Sequence, residues 1–460
     1  IRIGEVLDEH VTVKKGLPDD IGLRQTSGFG VRVIVKGAWG FAGSIFLTKN
    51  EVAQTTKTAV SIAKASAKLK KKPVKLTSQK AGKDKYATPM KKDPFKIPLD
   101  EKIKVLLAAE RVVAKQSDLI KSSSATFRAF RENKFFMNTD GVEVNQQITW
   151  CGGGLEATAI KNGEVQRRSY PASFRGNFST AGYEYFESLA LQDHAKQVGQ
   201  EAVKLLEAEK CPPAETDLIL TGDQLELQIH ESCGHPTELD RALGMEADYA
   251  GTSFLVPDKL AKLRYGSENV NIVADATVPG GLGTFGYDDE GTPATRVDLI
   301  KEGMFVGYQT SRETAAELGL KQSSGGMRAQ SPLALPIIRM TNINLLPGDW
   351  KAEEIIEDTK KGVLMMVNKS WSIDDRRLNF QFGTEIGWEI KDGSKERILK
   401  YPTYTGMTPV FWGSCDAVSK DDWKMWGTPN CGKGVPGQSI YVGHGCGTAR
   451  FRKTRIGVLR

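Results

Sequence analysis

Residues 223–238 read Asp223-Gln-Leu-Glu-Leu-Gln-Ile-His-Glu-Ser-Cys-Gly-His-Pro-Thr-Glu238. This stretch predicts a helix from about residue 223 to residue 234, after a short strand at 216–220. It contains two histidines, His230 and His235, five residues apart. In a regular α-helix five residues turn through about 500°, which leaves the two side chains about 140° apart. Gly234 loosens the backbone, and Pro236 disfavours helical dihedral angles at His235. We therefore expect the helix to end or bulge here and to turn His235 back toward His230.

The pattern His230-Glu231-x-x-x-His235 indicates a metal site. Zinc peptidases commonly place two histidines four apart on one helix face, with a glutamate beside the first as general base. A catalytic zinc takes three protein ligands and leaves a fourth position open for water. Spacing alone does not select the third ligand, and the candidates are Glu238, Cys431, His444 and Cys446. The alternative interpretation is two unrelated histidines at a helix end, and Cys233 is expected to be a packed small apolar residue.

One lysine-rich stretch dominates the net charge of +7. Residues 64–104 contain 14 lysines and four acidic residues, a balance of 14 − 4 = +10, so the remainder carries 7 − 10 = −3. The stretch has only two aromatic residues, Tyr86 and Phe95, and no nucleic-acid-binding motif, so we interpret it as a solvated surface segment and expect no nucleic-acid partner. Prolines at 73, 89 and 94 indicate a linker or an exposed loop at 70–96.

The six cysteines, with no Cys-x-x-Cys pair, predict neither a disulfide framework nor a zinc ribbon. They suit a reducing compartment, so a cytoplasmic location is expected. No apolar run reaches 18 residues, so no membrane span is predicted. The chain begins at Ile1 without Met, and we expect that an upstream piece was processed or left out, with a removed export signal as the alternative to a cytoplasmic location.

Periodicity along the chain predicts an α+β fold. We expect a hairpin at 31–46, helices at 51–69, 99–117, 183–209 and 351–360, and strands through 123–180. Asp100 is the expected cap of the second helix, and Cys211-Pro212-Pro213 is a predicted boundary. The predicted domains are a hairpin/helix domain at 1–97 with the lysine-rich segment, a central α+β domain at 98–210, and a large β-rich carboxy-terminal domain at 211–460 that carries the metal-binding helix.

Motifs along nearly the whole chain resemble the TldD/PmbA family, metallopeptidases once named modulators of DNA gyrase. Beside His230-Glu231-Ser232-Cys233-Gly234-His235 with Glu238, the family-like segments are Gly28-Phe29-Gly30-Val31-Arg32-Val33, Gly37-Ala38-Trp39-Gly40-Phe41-Ala42, Asp288-Asp289-Glu290-Gly291, Arg312, Arg339-Met340-Thr341-Asn342, Gly383-Thr384 and Asn430-Cys431-Gly432-Lys433-Gly434 with Gly437-Gln438. Pro236 departs from the family pattern, which has Gly after the second histidine.

The resemblance implies that Cys431 is the third zinc ligand, beside His230 and His235, and that Glu231 is the catalytic base. It implies a TldD-type subunit, because the motif is intact. Such a subunit would act on unfolded or ribosomally made peptides, as a heterodimer with a PmbA/TldE-type subunit or as a homodimer.

The rival hypothesis is a non-catalytic regulator or scaffold subunit that binds gyrase or nucleic acid. Missing ligands or a missing base would favour it, and neither is missing. The glycines of Gly281-x-Gly283-x-x-Gly286 match a dinucleotide fingerprint, but Tyr287-Asp288-Asp289-Glu290-Gly291 opens no helix after them. We interpret them as loop glycines.

The lysine-rich segment yields a first prediction. Replacing Lys70, Lys71 and Lys72 with Gln should leave the thermal midpoint and the bound zinc nearly unchanged, because a solvated surface segment contributes little to either. Thermal melts and metal analysis by mass spectrometry measure the two quantities. Loss of the fold or of the metal in this variant would contradict the interpretation.

Overall fold

Long paired strands are the main elements in the amino-terminal half of the computed structural model, which describes residues 1–247 and 251–457. The elements in chain order are β1 (Arg2–Lys14), β2 (Leu17–Val35), β3 (Ala38–Ser44), α1 (Lys49–Ser66), β4 (Gly82–Ala87), α2 (Leu99–Ala114), β5 (Ile120–Met137), β6 (Val142–Lys161), β7 (Glu164–Tyr170), β8 (Asn177–Ser179), α3 (Tyr183–Ser188) and α4 (Leu191–Glu207).

The predicted hairpin at 31–46 is confirmed as the β2–β3 pair. Val35 pairs with Ala38, so the connection has two residues, Lys36 and Gly37. Both have positive φ, 49° and 72°, as a tight hairpin turn with the right-handed twist of its strands requires. The sequence interpretation did not anticipate β1, which pairs with residues 17–30 of β2 and with β5.

One eight-stranded sheet joins these elements in the order β3-β2-β1-β5-β6-β4, with β7 and β8 also paired to β6. Helices α2 and α4 cover one face, where Val11, Leu106, Phe127 and Val198 belong to a single buried cluster. The sheet runs across the predicted domain boundary at residue 97. The segments 1–97 and 98–210 therefore share one hydrogen-bonded layer, and the division of the chain at 97 and 210 stays a prediction.

Three local predictions were wrong in detail. Asp100 does not cap α2, which begins after Pro98 with no side-chain cap. The helix expected at 183–209 is two helices, because Ala190 adopts the left-handed conformation with φ 46°. The lysine-rich segment is not wholly a loop, since its residues 82–87 form β4 and pair in parallel with β6. Lys70, Lys71 and Lys72 are exposed, as predicted.

The carboxy-terminal half is rich in strands. Its elements are β9 (Glu209–Lys210), β10 (Ala214–Leu220), α5 (Gly222–Ile229), α6 (Leu239–Ala242), β11 (Ile272–Asp275), β12 (Arg296–Lys301), β13 (Met304–Phe305), α7 (Arg312–Glu317), β14 (Met327–Arg328), β15 (Ile337–Ile338), β16 (Ile343–Leu345), α8 (Ala352–Glu357), β17 (Lys361–Ile373), β18 (Asn379–Lys391), β19 (Ser394–Lys400), β20 (Thr403–Met407), α9 (Thr408–Gly413), β21 (Cys415–Val418), β22 (Lys424–Lys433), β23 (Gln438–Cys446) and β24 (Ala449–Ile456).

Its main sheet has the order β17-β10-β24-β20-β18-β19-β9, and an additional pairing of β17 with β18 closes five of these strands into a ring. Leu225 and Ile229 of α5 lie in the large buried cluster of this half, with Trp412 and Phe451. The predicted α+β fold with a β-rich carboxy-terminal half is therefore confirmed. Among the helices of the described ranges, none is long and apolar enough to cross a membrane.

Buried charges join the two halves at the acidic turn after Tyr287. The Asp289 carboxylate lies 3.0 Å from Arg2 Nη1 and 2.7 Å from Lys134 Nζ, and it accepts a hydrogen bond from the Ala329 amide. Burial alone would raise the pKa of Asp289, but the cations of Lys134 and Arg2 outweigh it and lower that pKa. The acidic turn at 288–291 is thus linked by ion pairs of Asp289 to Arg2 of β1 and Lys134 of β5.

This network yields a stability prediction. Lys134→Met should lower the free energy of unfolding by about 3 kcal/mol, because it leaves a buried carboxylate short of one cation. Lys83→Met, which removes the 78% exposed partner of Glu143, should cost less than about 1 kcal/mol. Urea unfolding of both variants measures the difference. Equal stability of the two would show that the network contributes little.

Candidate metal centre

The helix that carries the histidines changes its winding at His230. Helix α5 continues into one π-helical turn, His230–Gly234, in which the His235 amide donates to the His230 carbonyl five residues earlier. A 3-10 turn, His235–Thr237, ends the segment. The wider turn takes up the extra residue, so the rings of His230 and His235 lie 4.8 Å apart between centroids. The predicted bulge is confirmed.

Neighbouring elements hold this turn in place. Gly234 has no room for a side chain, since a Cβ there would lie 2.2 Å from Met340 Sδ. The Thr237 hydroxyl donates to the carbonyls of Cys233 and Gly234, at 2.7 and 3.0 Å, and Gln309 Nε2 donates to the Gly234 carbonyl at 2.9 Å. These bonds satisfy carbonyls that the irregular winding leaves without helical partners.

Cys431 completes a buried trio. It lies on β22, just after a break in the pairing with β23 between Thr428 and Cys431. Its Sγ is 3.3 Å from His230 Nε2 and 3.6 Å from His235 Nε2. The three donor atoms all lie within 4.8 Å of one another. The structure thus brings together the three residues that the family resemblance implied as ligands.

The donor set fits zinc. Zn–N bonds of about 2.05 Å and a Zn–S bond of about 2.3 Å, at a tetrahedral angle, place nitrogen and sulfur about 3.6 Å apart. The two observed N···S distances, 3.3 and 3.6 Å, agree with this separation. Histidine nitrogen and cysteine sulfur are both ordinary zinc ligands, and three of them leave the fourth position open, as at catalytic zinc sites.

The other ligand candidates take different places. His230 Nδ1 is 2.9 Å from His444 Nε2, and His235 Nδ1 is 3.0 Å from Glu238 Oε2. His444 and Glu238 therefore lie behind the two histidines, on the nitrogens that face away from Cys431. Cys446 is farther along β23, with its Sγ 3.5 Å from the Gly222 carbonyl.

These contacts select one tautomer for each histidine. We assign a proton to Nδ1 of His235, because only a protonated nitrogen can donate to the Glu238 carboxylate. His444 Nδ1 lies 3.3 Å from the Ile343 carbonyl and donates to it, which leaves its Nε2 to accept from His230 Nδ1. In both His230 and His235 the free electron pair is then on Nε2, the atom that faces Cys431.

Burial and charge put the trio in the protonation states that a metal needs. Burial lowers the pKa of His230 to about 4 and the pKa of His235 well below its ordinary value, so both rings are neutral near pH 7. Burial would raise the pKa of Cys431, but the charge of Arg339 leads the influences that outweigh it and lower that pKa. The thiolate is therefore favoured.

Glu231 stands beside the trio without belonging to it. Its Oε2 accepts a hydrogen bond of 2.5 Å from Arg377 Nη1, and its side chain is 8% exposed. Sequence reasoning missed Arg377, which follows Asp374-Asp375-Arg376 in the turn between β17 and β18 and matches no motif. Only the fold brings it to Glu231.

Lys433 neutralises the acidic residues behind the trio. Its Nζ lies 2.7 and 2.8 Å from the two Asp240 oxygens and 3.4 Å from Glu238 Oε2. Since Lys433 is only two residues from Cys431, one strand supplies both the sulfur and the cation that balances the carboxylates. This position explains the lysine in the family-like segment at 430–434.

Three family models match the chain. Residues 1–63 match the PmbA/TldA metallopeptidase domain 1, residues 92–208 match the central domain, and residues 213–458 match the C-terminal domain.

Curated relatives match over nearly their whole length. A metalloprotease of Methanocaldococcus jannaschii is 31% identical over 98% of this chain and 95% of its own. A protein of Saccharolobus solfataricus named zinc metalloprotease TldD homolog is 24% identical, over 94% of this chain and 90% of its own.

Solved structures share the fold. A crystal structure from Thermotoga maritima has a TM-score of 0.77 at 16% identity, over 99% of this chain and 95% of that one. TldE from Thermococcus kodakarensis has a TM-score of 0.73 at 15% identity, over 99% and 96%. Together with the family models and the Methanocaldococcus relative, this likeness leads to one conclusion: the chain belongs to the PmbA/TldA metallopeptidase family.

Proposed function

We propose that the chain is a zinc-dependent peptidase that cleaves unfolded or ribosomally made peptides. The observation that carries the proposal is the convergence of His230 Nε2, His235 Nε2 and Cys431 Sγ, with the Glu231 carboxylate beside them and outside the trio. Three soft or borderline donors with one open position are typical of catalytic zinc. The name of the Saccharolobus relative, a zinc metalloprotease, supports this choice of metal.

His230, His235 and Cys431 would hold the zinc, which as a Lewis acid would polarise the scissile carbonyl and lower the pKa of the attacking water. Glu231 would take the proton of that water and pass it to the leaving amine. His444 and Glu238 would keep the two ligand rings in the required tautomer. A Cys431 thiolate adds a negative charge that a third histidine would not, so the metal should be a weaker Lewis acid and turnover modest.

The substrate would lie in the cleft beside the segment that precedes Cys431. Pro429 and Asn430 line this cleft together with a cluster of three packed aromatic rings, Phe130, Trp150 and Tyr441. Pro429 and Asn430 belong to the break in the β22–β23 pairing, so their backbone groups do not pair with β23. We propose that an extended peptide adds as a strand beside β22, which would draw affinity from the backbone and tolerate many side chains.

We further propose assembly as a heterodimer with a PmbA/TldE-type subunit or as a homodimer. The intact metal trio makes this chain resemble the TldD type, and TldE of Thermococcus kodakarensis shares its fold. A cytoplasmic location is also proposed, because all six cysteines are free and buried, as in proteins of reducing compartments.

Removing a ligand and removing the base should have different consequences. Cys431→Ala should lose zinc and activity together. Glu231→Gln should keep near-native zinc, while cleavage falls about a hundredfold or more, the scale of lost general-base catalysis. Mass spectrometry of bound metal and cleavage of a fluorogenic peptide measure the two effects.

Cys446→Ala is the matched control, because Cys446 is equally buried but lies outside the trio, and it should keep both zinc and activity. Full zinc in Cys431→Ala, with zinc lost in Cys446→Ala, would overturn the ligand assignment. Full activity in Glu231→Gln would overturn the mechanism.

The proposed binding mode predicts a preference for unfolded chains. The test uses two substrates, a small folded domain and a destabilised variant of the same domain. The variant should be cut rapidly and the folded domain hardly at all, because strand addition needs a free extended backbone. Gel analysis of both digests gives the two rates. Cleavage within the core of the folded domain at the rate of its unfolded variant would contradict strand addition.

A further inference from the structure

Arg377 occupies a well-defined position in the turn between β17 and β18. Its backbone is left-handed, with φ 65°. The Arg377 amide donates to the Asp374 carbonyl at 2.8 Å, and the Thr408 hydroxyl donates to the Arg377 carbonyl at 2.9 Å. The Asp374 carboxylate also accepts from the amides of Leu378 and Asn379. The turn therefore presents the guanidinium from a rigid base.

Three arginines surround the trio, and Arg377 differs from the other two. Arg241 is 1% exposed, with Nη2 3.5 Å from His235 Nδ1, the nitrogen that faces away from Cys431. Arg339 is 0% exposed and donates to the Cys431 carbonyl. The Arg377 side chain is 17% exposed and contacts Glu231. It is the one of these three that a substrate can reach.

The Arg377 guanidinium has donors to spare. Nη1 is bonded to Glu231 Oε2, whereas Nε is buried and has no hydrogen-bond partner among the described residues. An unpaired buried donor normally has a ligand or water as its partner. One guanidinium can bond two oxygens at once, because its five N–H groups lie in one plane.

We propose that Arg377 stabilises the oxyanion of the tetrahedral intermediate in peptide cleavage. The inference rests on the proposed function. Water oxygen forms a bond to the carbonyl carbon, one water proton moves to Glu231, and the carbonyl π pair moves to its oxygen, which becomes negative. Arg377 donates to that oxygen. The C–N bond then breaks, the oxygen regains its double bond, and Glu231 returns the proton to the amine nitrogen.

The pairing with Glu231 makes this stabilisation selective for the transition state. Before reaction the Arg377 cation faces an ionised Glu231. When Glu231 takes the proton it becomes neutral, and the negative charge moves to the carbonyl oxygen. The guanidinium thus exchanges one anionic partner for another as the reaction proceeds. An interaction that forms only at this stage raises kcat rather than substrate affinity.

The test compares Arg377→Ala and Arg377→Lys with Arg376→Ala, the neighbouring exposed arginine of the same turn. Arg377→Ala should keep its zinc, with a lower thermal midpoint because the buried Glu231 carboxylate loses its cation, so activity is compared at a temperature well below that midpoint. Its kcat should fall about 100- to 1000-fold with little change in KM, the loss seen when one oxyanion donor is removed. Arg377→Lys should be intermediate, because an ammonium cannot bridge two oxygens in a plane. Arg376→Ala should match the wild type.

Two further measurements separate oxyanion binding from mere positioning of Glu231. A phosphinic peptide, which carries a tetrahedral anionic centre, should bind Arg377→Ala more weakly by about the factor lost in kcat. Guanidinium ion at millimolar concentration should restore part of the activity of Arg377→Ala but none to Glu231→Gln. Undiminished phosphinic-peptide affinity in Arg377→Ala would overturn the inference, whatever its activity.

The outcome also separates this inference from the proposed function. If the wild type cleaves peptides and Arg377→Ala cleaves them equally well, the peptidase proposal stands and the role of Arg377 is wrong. If the zinc-loaded wild type cleaves neither the fluorogenic peptide nor the destabilised domain, both proposals are contradicted.

Discussion

The site depends on one backbone constraint: His230 and His235, five residues apart, must both turn Nε2 toward Cys431 Sγ. A regular α-helix cannot do this, and the π-helical turn at 230–234 can. The turn is not stable by itself, because its carbonyls need outside donors and Gly234 must pass against Met340. Gln309 and Met340 come from distant parts of the carboxy-terminal half, so the geometry of the trio and the fold of that half are established together.

Buried charge is the second organising influence, and it is balanced locally. Lys433 faces Asp240 and Glu238 behind the trio, while Lys134 and Arg2 face Asp289 between the two halves. Removing one partner of such an ion pair leaves an unpaired buried charge, which lowers the free energy of unfolding by several kcal/mol. The result near the metal trio is a rigid set of hydrogen bonds that holds neutral histidines and a thiolate-prone cysteine in place.

The sequence predicts those parts of the fold and of the trio that depend on neighbouring residues in the chain. The Lys36-Gly37 turn, the bulge at Gly234-His235-Pro236 and the histidine pair follow from spacing and from residues that break a helix. The resemblance to a family supplied Cys431, which spacing alone could not separate from Cys446 or His444. The division of the helix at Ala190, the pairing of β1 with β5 and the approach of Arg377 to Glu231 depend on contacts between distant residues, and no local pattern records those.

The separation of the trio along the chain has a consequence for synthesis on the ribosome. Cys431 follows His235 by 196 residues, and the ring of strands behind the histidines needs β24, the last strand described. Because a chain folds as its residues emerge, His230, His235 and Glu231 leave the ribosome long before Cys431 can join them. A growing chain that ends before residue 431 is itself an unfolded polypeptide, and it lacks the complete trio that the proposed peptidase would need to cut its neighbours.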